Sequence, residues 1–128
     1  MTLTRWRSER GQATVELVLI LPLVVLALLL VIQVGLIARD QVLVVNAARE
    51  GARIAAVEGA GAASGAAAPG LRSGRVDVSA AIESAGSGDL VRVRVHYRAP
   101  TDVPLVGSLL GDPMLTAEVV MRVEDHGG

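Results

Sequence analysis

The sequence predicts an α+β chain in which a long N-terminal helix, membrane-spanning over its first half, packs on a small antiparallel β-sheet. Three observations carry this prediction. From Leu17 to Ile32 every residue is apolar apart from the helix-awkward Pro22. From Arg39 to Glu58 apolar residues recur as Val42, Val45, Ala52 and Ala56, at helical spacings of three, four or seven. Beyond Gly74, two segments alternate apolar and polar residues with the period of a strand that has one face buried.

Residues 1–11 form a short polar leader with Arg5, Arg7 and Arg10 against Glu9. The apolar run continues past Gln33 through Val34-Gly35-Leu36-Ile37-Ala38 and stops at Arg39-Asp40, so residues 12–38 make the membrane helix. Its apolar portion, Leu17 to Ala38, spans roughly 33 Å as a helix and matches a hydrocarbon core of about 30 Å. Three Arg before the segment against one just after it put the N-terminus in the cytoplasm and the rest of the chain outside the cytoplasmic (inner) membrane. A cleavable secretory signal fits less well. Its apolar region is about 7–15 residues and is followed by a small-x-small site. Leu36-Ile37-Ala38 lacks the small residue at the −3 position.

Residues 39–58 continue the same helix outside the membrane, giving one helix from Gln12 to near Val57. Glu50 and Arg53, three apart, can pair on its surface. Residues 59–74 are a Gly/Ala-rich linker, either flexible or a short Ala-rich helix ended by Pro69-Gly70. Residues 75–128 form a small extracytoplasmic α+β domain. Arg75-Val76-Asp77-Val78 is a short strand candidate, and Ser79 to Ala85 has the composition for two helical turns. Val91 to Tyr97 is the clearest strand, and Leu115 to Glu124 is a second. Between them, Ala99 to Met114 is an irregular connection broken by Pro100, Pro104, Gly107, Gly111 and Pro113, with an apolar middle. So few strands cannot fold alone. The Val42/Val45/Ala52/Ala56 stripe supplies the cover they need.

Composition excludes several functions. Net charge is −1 and the only aromatics are Trp6 and Tyr97, so no basic field or stacking platform exists for nucleic acid. With no cysteine, disulfides, thiolate metal sites and cysteine nucleophiles are ruled out. Gly59-x-Gly61 follows a helix and has Ser64 where a phosphate-binding loop needs a third Gly. His96 lies among Arg92, Arg94 and Arg98, and His126 stands near the C-terminus, neither with an acidic cluster that would complete a metal site. Ser79, Ser84 and Ser108 have no activating motif. No catalytic group, cofactor or metal is expected, and the chain is not an enzyme.

The informative constellation lies at the membrane edge. A carboxylate there, Glu16, is costly in lipid but less so near the interface, and its plain reading is a residue at headgroup depth favouring the positive end of the helix dipole. Gly11, in a short polar stretch ahead of the helix, is an accessible peptide. Cleavage after it gives Gln12 a new α-amino group and makes Glu16 the fifth residue. An ammonium and a carboxylate paired between adjacent subunits offset each other's desolvation.

Residues 10–35, beginning Arg-Gly-Gln-Ala-Thr-Val-Glu-Leu-Val-Leu-Ile-Leu-Pro, resemble the N-terminus of TadE-like proteins, minor pilin-like components of tight-adherence (Flp) pili. The segment Asn46-Ala-Ala-Arg-Glu-Gly-Ala-Arg53 and the closing Met121-Arg122-Val123-Glu124 are similar to the family as well. The resemblance implies a pilin-like fold, cutting by a prepilin peptidase between Gly11 and Gln12, Glu16 as the assembly acid, and Pro22 as a shared helix kink. It also implies the partners: the lipid bilayer, other pilin or pseudopilin subunits, the peptidase and the pilus assembly platform, with no nucleic acid. Leu17 departs from the aromatic residue that often follows the acid in major pilins, which favours a minor component. Two other readings stand beside it, an uncleaved single-pass scaffold of the pilus apparatus and a membrane-tethered binding domain.

Overall fold

The computed structural model describes residues 5–65, 68–86 and 88–123. Helix α1, Arg5–Glu58, is a single 54-residue α-helix that carries Pro22 inside it. It begins about two turns before the expected start at Gln12, because no residue between Arg5 and Gly11 is a strong helix breaker. Gly11 therefore sits within the helix and not in an unstructured leader. Gly59, at φ +99°, ends α1 in a conformation that only glycine adopts readily, with its N–H donating to the Ala55 carbonyl at 3.0 Å.

Among its described residues the linker forms two 3₁₀ turns, Ala60–Gly65 and Ser73–Arg75. The first tucks Ala63 fully out of solvent. Strands β1 (Val76–Ala85), β2 (Gly88–Arg98) and β3 (Met114–Arg122) then form one antiparallel sheet in the order β1-β2-β3. The helical turns expected over Ser79–Ala85 are absent. That segment is the second half of β1 and pairs with β2 from Ser79 opposite Arg94 to Ala85 opposite Gly88. Alanine favours helix locally, but a continuous ladder along the central strand outweighs a few tenths of a kcal/mol per residue. His126 and Glu124 lie outside the described residues.

Period two puts Val91, Val93, Val95 and Tyr97 on the inner face of β2, all buried. Their cross-strand neighbours are Ile82, Ala80, Val78 and Val76 on one side and Met121, Val119, Ala117 and Leu115 on the other. Helix α1 covers this face with Val44, Ala47, Ala48, Ala52, Ala55 and Ala56. The expected stripe is thus half right. Ala52 and Ala56 are in the core, Val45 is half-buried, and Val42 is exposed at 60%. The sheet lies against the alanine-rich side because methyl-sized side chains let the helix axis approach the valine rows closely. Spacing along the chain overweights the larger Val42.

Candidate functional site

Three surfaces hold the groups that chemistry or assembly can use: the apolar half of α1, the outer face of the sheet, and the β2–β3 connection. On α1, large apolar side chains from Val15 onward are open to the surroundings, among them Leu17, Leu19, Leu23, Val25, Leu28 and Val31. This half of α1 is long and apolar enough to cross a membrane, and its most apolar window buries nothing against the rest of the chain. Such a surface in water would be a large aggregation liability, so it needs lipid or other helices around it. Glu16 is exposed on the first turns of this surface. Pro22, lacking an N–H, leaves the Val18 carbonyl without its usual helical donor.

On the outer face of the sheet, Arg92 bridges Glu83 of β1 and Glu118 of β3, and Arg94 also pairs with Glu118. The Arg92–Glu83 contact is bidentate, with both N–O distances at 3.0 Å. Hydrogen bonds from Arg94, then Arg92, hold the Glu118 carboxyl below its ordinary value. Glu83 is lowered by Arg92, whose own guanidinium is raised first by Glu83 and then by Glu118. His96 is placed on this same face, its Nδ1 3.0 Å from Thr116 Oγ1. The face is therefore a solvated ion-pair lattice tying three strands together. Sequence alternation marks Arg92 and Arg94 as outward, but only the register reveals which carboxylates they meet.

The β2–β3 connection is closed at its base. Ala99 N–H donates to the Pro113 carbonyl at 3.0 Å, and Thr101 N–H donates to Asp112 Oδ1 at 3.0 Å. Arg75 pairs with Asp112 at 2.5 Å, and Arg72 pairs with Asp102 at 2.6 Å. The Asp112 carboxyl is held low, chiefly by Arg75 and then by the Thr101 N–H. A short helix α2, Gly107–Leu110, forms its far end. Gly107 is required there, since a Cβ would lie 2.3 Å from the Thr101 carbonyl oxygen.

A shallow groove of about 400 Å³ is lined by Leu43, Asn46, Ala47, Glu50 and Pro69. Its one charged group, Glu50, is already paired with Arg53 at 2.8 Å. Among the described residues no three His, Asp or Glu side chains gather as metal ligands. One residue that the sequence marks only as an interruption of the apolar run is Gln33. It is fully buried, and its amide N and O find no hydrogen-bond partner among the described residues. No signal along the chain points to that burial.

An exposed apolar helix whose second half is the spine of a small sheet defines an α+β protein built on one long N-terminal helix. Within that class, residues 11–53 match the family model described as TadE-like protein. The matched segment is the apolar half of α1 and most of its sheet-covering half. No curated protein and no solved structure matches the chain.

Proposed function

We propose that this chain is a minor pilin or pseudopilin of a tight-adherence pilus, held in the cytoplasmic membrane by α1 with its sheet domain outside. The observation that carries this reading is the bare apolar half of α1 with Glu16 at its start, inside the TadE-like match. A prepilin peptidase cuts between Gly11 and Gln12. The new ammonium of Gln12 then pairs with Glu16 of a neighbouring subunit, so that two charges that are costly in an apolar helix bundle offset one another. Because Gly11 is helical here, cutting requires the first turns of α1 to unwind. Glycine lowers the cost of that step, being about 0.5–1 kcal/mol less favourable than alanine inside a helix. No catalysis is assigned to the chain, whose role toward the peptidase is that of substrate.

The helical state of Gly11 favours a second reading, an uncleaved single-pass scaffold of the pilus apparatus. N-terminal sequencing of the protein from native membranes separates the two: a start at Gln12 supports the pilin, and an intact leader supports the scaffold. Glu16→Ala should leave membrane insertion unchanged and reduce pilus assembly. Full pilus output from that variant would remove the pairing role.

A further inference from the structure

The β2–β3 connection points back toward the membrane half of α1. Gln41 Nε2 lies 3.5 Å from the Thr116 carbonyl oxygen, and Tyr97, Pro100 and Asp102 share a cavity with Leu36, Arg39 and Asp40. Moving from the core at Ala52 toward the membrane end of α1, the helix meets first the strands, then the base of the connection. Gln33 lies farther along the same direction and is fully buried, although Ile32, Val34 and Gly35 beside it are exposed. Another part of the chain covers that one face, and the connection is the described segment that leads toward it.

The tip of the connection is apolar, with Val103 and Val106 buried beneath it and three leucines bare. Leu105, Leu109 and Leu110 are exposed at 67%, 73% and 56%. Leu105 has φ +67°, a conformation that disfavours a leucine and that brings it no burial. Between Asp102 and Asp112 there is no charged residue. The charges gather at the base instead, as Arg72–Asp102, which shares a cavity with Arg39, and Arg75–Asp112. Gln33 is six residues before Arg39, about 9 Å along the helix. Interfacial elements commonly bury their apolar faces about 5–10 Å into the headgroup and acyl boundary.

We propose that Leu105, Leu109 and Leu110 form a foot that dips into the outer leaflet of the same bilayer that α1 crosses. The foot fixes the height and tilt of the sheet above the membrane, with the ion-paired base at headgroup level. Like the exposed band of α1 at Val31, Ile32, Val34 and Leu36, it is apolar and bare. The foot rests on the reading of α1 as a membrane helix, and the labelling below tells the failure of one from the failure of the other.

The chain has no cysteine, so single sites can be labelled in the full protein. Leu109→Cys, Val24→Cys and Glu58→Cys each receive an environment-sensitive nitrobenzoxadiazole dye, in phosphatidylcholine nanodiscs holding one copy apiece. Quenching is read with lipid-borne spin labels and with aqueous iodide. The expected result is lipid quenching and iodide protection at Leu109 and Val24, with the reverse at Glu58. Adding Leu105→Asp and Leu110→Asp should transfer the Leu109 label to iodide access. Iodide quenching at Leu109 with Val24 still protected overturns the foot and leaves the membrane helix standing. Iodide quenching at Val24 overturns the membrane helix and the foot with it. Protection of Leu109 from both quenchers means that protein covers the tip, which also overturns the foot.

Discussion

Replacing Gln33 with methionine should stabilise the folded protein. Gln33 is fully buried and its amide has no hydrogen-bond partner among the described residues. An unsatisfied buried polar group costs about 1–3 kcal/mol, and an unbranched apolar side chain of similar length removes that cost without opening a hole. Part of that cost persists when the sheet domain unfolds and the amide stays at the membrane, so the lower half of that range, about 1–2 kcal/mol, is the expected gain. For a small domain this raises the urea midpoint by roughly 1 M, since unfolding slopes are about 1–3 kcal/mol per M. Pulse proteolysis of the full chain in nanodiscs across a urea series measures it, because the sheet domain becomes cleavable only when it unfolds. Gln33→Ala should gain less than the methionine variant, because it leaves a cavity. A midpoint that falls on Gln33→Met would refute the reasoning and show that the amide makes a stabilising contact.

Ala52→Leu places a large side chain where α1 meets the sheet with no exposed surface, and should cost about 1–3 kcal/mol by the same urea measurement. Gly107→Ala, with its Cβ set against the Thr101 carbonyl, should loosen the connection and speed proteolysis between Asp102 and Asp112 while leaving the strands protected. The Glu83, Asp112 and Glu118 carboxyls are held below their ordinary values of 4.5, 3.8 and 4.5 by arginines. A depressed carboxyl contributes stability that is present above its unfolded value and lost as pH falls through its folded one. The urea midpoint should therefore hold from neutrality to about pH 5 and drop below the ordinary carboxylate range. Glu118→Gln should flatten part of that acid limb.

The long helix, the membrane-length apolar run, and the alternation of β2 and β3 are all legible along the chain. Each is a local periodicity, and a run of apolar residues with nothing to break it has one regular solution. The TadE-like pattern around Glu16 is legible for the same reason, being contiguous. Other features depend on partners far apart in sequence. Ser79–Ala85 became strand because β2 offered a ladder, against alanine's own preference. The face of α1 that covers the sheet is the one that fits, lined by Ala48, Ala52 and Ala55, and no spacing rule distinguishes it from the Val42 side. Arg92 meets Glu83 and Glu118 through strand register, and Gln33 is buried while its neighbours along the helix are exposed. Periodicity is written in neighbours along the chain, whereas packing is settled by shape and charge between segments that the sequence keeps apart.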